Sequence, residues 1–279
     1  MKKDFESSNY LDSAIDAARK AGKLLIEGMG SGTNKIDYKG EIDIVTEMDC
    51  RSEELIKTLL QKRFPEISIL AEESGDSGGY SRMRWIIDPL DGTTSYAHNI
   101  PHFSISIALE KDGEIVAGVV YNPCLDECFY AGQGTGAYLN GKLITVSTTR
   151  ALKKSLLATG FPYDRATSDE NNLDHFGAFL LKVQGIRRMG SAALDLSYTA
   201  AGRFDGYWEM KLAPWDVAAG SIILKEAGGK VTDFSLNPFN IYGKEILASN
   251  GLIHNEMTKI LKGVVISGCL NKESISKVR

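Results

Sequence analysis

From Tyr10 to Met29 the apolar residues Leu11, Ala14, Ile15, Ala18, Ala21 and Leu25 recur at helical spacing, which predicts an amphipathic first helix stopped by Gly28 and Gly30. A second helix is predicted to begin at Thr46, whose hydroxyl can cap it, and to turn Leu55, Ile56, Leu59 and Leu60 inward. It should end near Phe64-Pro65, because a residue before proline is biased away from helix. The polar stretch between the helices, Lys35 to Val45, reads as a loop leading into a short strand.

From Ser68 the pattern changes to short β-type runs: Ile69-Leu70, Trp85 to Asp88, Phe103 to Leu109, Glu114 to Tyr121 and Cys128 to Ala131. Asp112-Gly113 and Asn140-Gly141 are hairpin signals. Strands joined by such tight turns are antiparallel, so this is not the alternating βαβ pattern of a dinucleotide-binding chain.

Beyond Ser147 helices and strands alternate. Strands are predicted at Leu156 to Thr159, Gly185 to Met189, Phe204 to Glu209, and around Val231 and Ile246; helices are predicted at Asn172 to Lys182, Ser191 to Ala201, Pro214 to Ala227 and Ile253 to Leu261. The expectation is a layered α/β protein with a largely antiparallel N-terminal sheet. No linker or repeat interrupts it, so two closely packed subdomains, 1–146 and 147–279, are expected rather than independent modules.

With 279 residues, 43% of them apolar, a sizeable core is possible. The formal net charge of −4 argues against a dedicated basic nucleic-acid face. No apolar run approaches a membrane span and the N-terminal residues lack the apolar core of a secretory signal, so no membrane role and a cytoplasmic location are expected. Cys50, Cys124, Cys128 and Cys269 are too scattered for a disulfide framework and complete no zinc site. Any metal should therefore be a hard cation with oxygen ligands.

The chemistry concentrates where the strand Trp85-Ile86-Ile87-Asp88 runs into Pro89-Leu90-Asp91-Gly92-Thr93-Thr94. Pro89 should start a turn that brings Asp91 back toward Asp88. Like charges so close raise each other's pKa unless a cation lies between them, which points to a divalent metal. Gly92 lets a phosphate approach the main chain, and Thr93 and Thr94 offer hydroxyls and amides at a helix start.

Ala71-Glu72-Glu73-Ser74-Gly75 is a second acidic strand end, which alone would read as a solvated turn and beside Asp88 and Asp91 as part of one metal site. Asp216 in Pro214-Trp215-Asp216 is a helix cap or a site carboxylate. Thr46-Glu47-Met48-Asp49 fits a capping box, so Asp49 serves the cap, the chemistry or both. Asp43 is less distinctive and fits a polar loop.

Asp88-Pro89-Leu90-Asp91-Gly92-Thr93-Thr94-Ser95-Tyr96-Ala97-His98, with Pro101, Phe103, Ser106 and Ile107, resembles the first signature of the inositol monophosphatase family. Trp215-Asp216-Val217-Ala218-Ala219-Gly220, followed by Glu226-Ala227-Gly228-Gly229, resembles the second. Glu72-Glu73-Ser74, Asp43-Ile44-Val45-Thr46 with Asp49, and Gly190-Ser191-Ala192-Ala193-Leu194-Asp195 match in the expected order, so the resemblance spans nearly the whole chain.

The resemblance implies the αβαβα sugar-phosphatase sandwich, usually dimeric, and a magnesium-dependent, lithium-sensitive phosphatase. It makes Glu72, Asp88, the Leu90 carbonyl, Asp91 and Asp216 metal positions, and Asp49 and Thr93 the pair that orients and deprotonates the attacking water, with Glu72 also catalytic. Gly92, Thr93 and Thr94 would bind phosphate. Asp91, Ser191, Ala192, Glu209 and Asp216 would contact substrate, although Glu209 read by itself is equally an ordinary strand-end acid. Myo-inositol monophosphate is the expected substrate. Fructose 1,6-bisphosphate is the alternative, with Arg165, Arg187, Arg188 and Lys211 as candidates for a second phosphate. A phosphatase-like regulator binding a transcription or ribosome partner stays open, because partner surfaces leave no readable motif.

Overall fold

The computed structural model describes residues 2–29, 36–38, 40, 42, 44–78 and 82–264. Gly30, Asp43 and Cys269 therefore lie outside the described residues. Helix α1 (Lys2–Gly28) is followed by a two-stranded ribbon, β1 (Ile36–Tyr38) and β2 (Ile44–Thr46), and then by α2 (Glu47–Arg63). Thr46 caps α2 by accepting from the Met48 amide, and the helix closes at Phe64, before Pro65.

An eight-stranded sheet comes next in the chain. Its strands are β3 (Ser68–Ala71), β4 (Gly75–Asp76), β5 (Met83–Asp91), β6 (Ser104–Lys111), β7 (Glu114–Asn122), β8 (Glu127–Gly132), β9 (Ala137–Leu139) and β10 (Lys142–Ile144). They lie in the order β10-β9-β8-β7-β6-β5-β3-β4, and every pairing is antiparallel except β3 with β5. Both hairpin signals hold: Asp112, Gly113, Asn140 and Gly141 all adopt positive φ, as a tight turn matched to strand twist requires. The short helix α3 (Thr93–Ala97) leaves the end of β5.

The second sheet has the order β12-β11-β13-β15-β14. It comprises β11 (Leu156–Thr159), β12 (Gly185–Arg187), β13 (Gly206–Met210), β14 (Lys230–Thr232) and β15 (Glu245–Ser249). The helices threaded among these strands are α4 (Leu173–Leu180), α5 (Ala192–Ala200), α6 (Pro214–Glu226) and α7 (His254–Gly263).

Three apolar clusters hold the layers together. Helices α1 and α2 pack Ala14, Ala18, Leu25, Ile56 and Leu60 against one face of the large sheet, on Trp85, Ile87, Ile105 and Val119. Helices α5 and α6 fill the space between the two sheets with Leu194, Leu196, Ala218 and Ile223 against Ile86, Val120 and Tyr207. On the outer face of the small sheet, Phe179 of α4 and Met257 of α7 meet Trp208 and Leu247. The result is the αβαβα sandwich. Burying each large aliphatic side chain contributes about 1.5–3 kcal/mol, which is why apolar stripes on both faces of a sheet must each find a helix layer.

Gly118 of β7 is needed for the central layer. A Cβ there would stand 2.8 Å from the Ala219 carbonyl oxygen and 2.7 Å from Ile222 Cγ2, so only glycine lets α6 lie so close to the sheet. That contact sets the height of Asp216 above the strand ends.

Candidate active site

The strand β5 does not stop at Pro89. It continues to Asp91, and its register against β6 slips between Asp88, opposite Ser106, and Asp91, opposite Ser104. Three steps on β5 therefore match two on β6. In a regular strand, residues three apart point to opposite faces; the extra residue of this bulge turns Asp88 and Asp91 toward the same side. The expected proline turn is thus a proline bulge, which Pro89 tolerates because the bulged position has no ladder bond to donate.

The parallel pairing of β3 with β5 brings in the next carboxylate. Ala71 lies beside Ile87, and the Glu72 amide donates to the Ile87 carbonyl at 3.1 Å, so Glu72 is set beside Asp88 at the same end of the sheet. The Glu73 amide donates to Glu53 on α2 at 2.8 Å, which ties this strand end to the helix.

Asp49, in the first turn of α2, does two jobs. Its Oδ2 accepts from the Thr46 amide at 2.8 Å and the Thr46 hydroxyl at 2.6 Å, completing the helix cap. Its Oδ1 accepts from the Thr93 hydroxyl at 2.9 Å, and Thr93 Oγ1 also lies 3.0 Å from the Leu90 carbonyl. One hydroxyl proton serves one of these acceptors at a time.

Asp91 is held from the helix layer between the two sheets. Its Oδ2 accepts from the Ser191 hydroxyl at 2.6 Å and from the Ala193 amide at 2.8 Å, at the start of α5. Asp216 completes a helix cap and joins the acidic cluster: its Oδ2 accepts from the Ala213 amide at 2.7 Å, while its charge raises Asp88 and it is raised in turn by Asp91. Gly92 has φ +103°, and a Cβ there would lie 3.1 Å from the His102 carbonyl oxygen, so the turn between Asp91 and Thr93 admits glycine alone. Thr94 is exposed, and Ala192 is buried at the start of α5.

The electrostatics agree on one point of convergence. Burial pushes Asp88 well above the usual carboxylate range, reinforced by Glu72, Asp91 and Asp216. Asp216 is raised in the same way by burial, then by Asp91 and Glu72. Asp91 is pushed up to about 6 by burial, although the Ser191 hydroxyl and Ala193 amide hold it down. Burial likewise takes Asp49 up to about 6, against the donors Thr46 and Thr93. A carboxylate group that repels itself at neutral pH requires cations to remain ionised.

Among the described residues, no three His, Cys, Asp or Glu side chains close into a finished metal cage. The donor set still fits a hard divalent ion: it consists of oxygens, supplied by Glu72, Asp88, Asp91, Asp216 and the Leu90 carbonyl.

A sequence profile of the inositol monophosphatase family matches residues 6–266. The chain belongs to the inositol monophosphatase family. It is 44% identical over 254 residues to an inositol-1-monophosphatase of Synechocystis sp., covering 90% of this chain and 88% of that one. It is 42% identical over 259 residues to a fructose-1,6-bisphosphatase/inositol-1-monophosphatase of Thermotoga maritima, covering 91% and 96%. The inositol monophosphatase structure from Anabaena superposes with a TM-score of 0.85 at 44% identity, over 93% of this chain and 97% of that one.

In the small sheet, Glu209 of β13 accepts from the Tyr207 hydroxyl at 2.6 Å. Its carboxylate occupies the space that a Cβ on Gly160 would need. Burial pushes Glu209 up to about 7, with Asp91 raising it further and Arg188 lowering it. A strand-end acid with a buried phenol donor and a glycine wall is positioned, not solvated. Lys211 is engaged with Asp164 at 2.7 Å, and Arg165 contacts the Pro162 carbonyl at 3.4 Å. Tyr207 and Gly160 were not identifiable from sequence: neither carries a motif, and their role exists only through Glu209. Among the described residues no helix is long and apolar enough to cross a membrane.

Proposed function

We propose that this protein is a magnesium-dependent phosphomonoesterase that hydrolyses myo-inositol monophosphate to inositol and phosphate. The observation that carries the reading is the convergence of Glu72, Asp88, Asp91 and Asp216 from three chain segments, the end of β3, the bulge of β5 and the start of α6, where burial and repulsion raise the affinity of the three aspartates for a proton. Residues 1–146 contribute Asp49, Glu72, Asp88, Leu90, Asp91 and the turn Gly92-Thr93-Thr94, and residues 147–279 contribute Ser191, Ala192, Glu209 and Asp216.

Glu72, Asp88, Asp91, Asp216 and the Leu90 carbonyl would hold the magnesium. When bound, the metal supplies positive charge that offsets the phosphate and favours ionisation of the attacking water. The rest of the reaction belongs to the chain. The Thr93 hydroxyl orients the water, and Asp49, whose carboxyl is pushed up to about 6, sits in the range where it can take a proton near neutral pH. The amides of Gly92, Thr93 and Thr94 hold the phosphate oxygens, and Glu209 receives the hydroxyls of the leaving alcohol.

Phosphate release from inositol 1-phosphate tests the reading. Magnesium-dependent turnover, its inhibition by millimolar lithium, and its loss in Asp88→Asn and Asp216→Asn are expected; wild-type activity in either variant refutes the site. Fructose 1,6-bisphosphate is the second substrate to assay, because the Thermotoga maritima relative bears both activities in its name.

A further inference from the structure

Asp195, the fourth residue of α5, has no part in the chemistry above. It is 1% exposed, and its Oδ1 is buried without a hydrogen-bond partner among the described residues. An unpartnered acid oxygen in a well-packed helix is costly, by about 1–3 kcal/mol, and persists where it serves a use. Its surroundings point to one. The two ends of α5 are already committed: Ser191 and Ala193 donate to Asp91, and Ala201 closes the helix. One helical turn after Ser191, the Asp195 carboxyl is buried where the charges of Glu209 and then Asp91 repel it and Arg188 opposes them, and the Tyr207 phenol feels both Glu209 and Asp195. Arg188 folds back over Gly190, where a Cβ would come within 3.3 Å of its guanidinium.

We propose that Asp195 is a positioning residue for the alcohol half of the substrate, acting through Glu209; this rests on the phosphatase reading above. The Glu209 carboxylate is confined by Gly160 on one side and bonded to Tyr207 through Oε2. Asp195 is buried within reach of its charge, and burial first and Glu209 second favour the neutral form of Asp195. A neutral acid next to a carboxylate steadies the charge without adding a second one. Glu209 then presents a fixed acceptor to substrate hydroxyls, while the phosphate end of the site does not depend on Asp195.

The test compares inositol 1-phosphate with 4-nitrophenyl phosphate, whose leaving group carries no hydroxyls to recognise. Asp195→Ala is expected to raise KM for inositol 1-phosphate about tenfold and to leave kinetics on 4-nitrophenyl phosphate within about twofold. Asp195→Asn keeps the volume and an N–H donor, and is expected to restore most of the loss. In a Glu209→Gln background, Asp195→Ala should add little further, as residues acting through one group are not additive. An equal loss on both substrates, failure of Asn to rescue, or a full additional effect without Glu209 overturns the assignment. If the wild-type protein hydrolyses neither ester, the phosphatase reading fails first, and the two failures are told apart by that control.

Discussion

The Thr93 hydroxyl lies 2.9 Å from Asp49 Oδ1, joining residues 44 positions apart across the start of α2 and the start of α3. The same aspartate completes the cap of α2, so the helix end and the Asp49–Thr93 pair are one structure.

Thr93→Ala should therefore lower kcat by about a hundredfold or more, the usual worth of a positioned proton-transfer group. Thr93→Ser, which keeps the hydroxyl, should stay within about tenfold. Steady-state kinetics on inositol 1-phosphate separate the two, and equal losses would sink the role.

Thr46→Ala removes a cap and a donor to Asp49 together. It should cost about 1 kcal/mol in urea unfolding. Alanine keeps the backbone amide donor but not the hydroxyl that helps hold the Asp49 carboxyl down, so the substitution raises its pKa further and moves the acidic limb of the pH–rate profile to higher pH. An unmoved limb with lost stability would mean that Asp49 is a cap alone.

Stability of the metal-free protein should fall as pH rises. Asp49 and Asp91 are raised from 3.8 to about 6 and Glu209 from 4.5 to about 7, so the folded state binds protons more tightly than the unfolded chain. That contribution is complete below about pH 4 and is lost as pH climbs through about 6 to 7. Tm in a chelator should be higher at pH 5 than at pH 8, and magnesium should raise it more at pH 8, where it does not compete with protons. The reverse order in thermal scans contradicts the site electrostatics.

Gly160→Ala places a Cβ in the space of the Glu209 carboxylate. The protein should fold, because the obstacle is the end of one side chain, while KM for inositol 1-phosphate rises several-fold and 4-nitrophenyl phosphate is turned over as before. An unchanged KM would show that Glu209 does not read the alcohol.

Gly118→Ala should cost about 1–3 kcal/mol, since the added methyl meets the backbone of α6 at Ala219. The displaced helix carries Asp216, so magnesium-dependent activity should weaken with stability. Chemical denaturation and magnesium titration of the rate measure both.

Much was readable along the chain because it depends on neighbours in sequence. Apolar periodicity marks α2 and the strands β5 to β8, and the Asp-Gly and Asn-Gly pairs mark their hairpins, since backbone sterics act over a few residues. The predicted start of α1 at Tyr10 was late: the helix begins at Lys2, in a polar segment whose apolar pattern is weak. Asn172 is a positive-φ cap to α4 and not its first turn. The carboxylates were legible as a set, because Asp88, Asp91 and Asp216 sit in distinctive local company.

What the sequence alone determined was the element order, the hairpins, the caps and the acidic inventory, all products of short-range geometry and composition. Only the tertiary structure decided that the proline step is a bulge aiming Asp88 and Asp91 to one side, that a parallel β3 delivers Glu72, and that Gly160 and Tyr207 close around Glu209. Those relations depend on register and on packing between distant segments, where a slip of one residue reverses every side chain, and no local pattern encodes them.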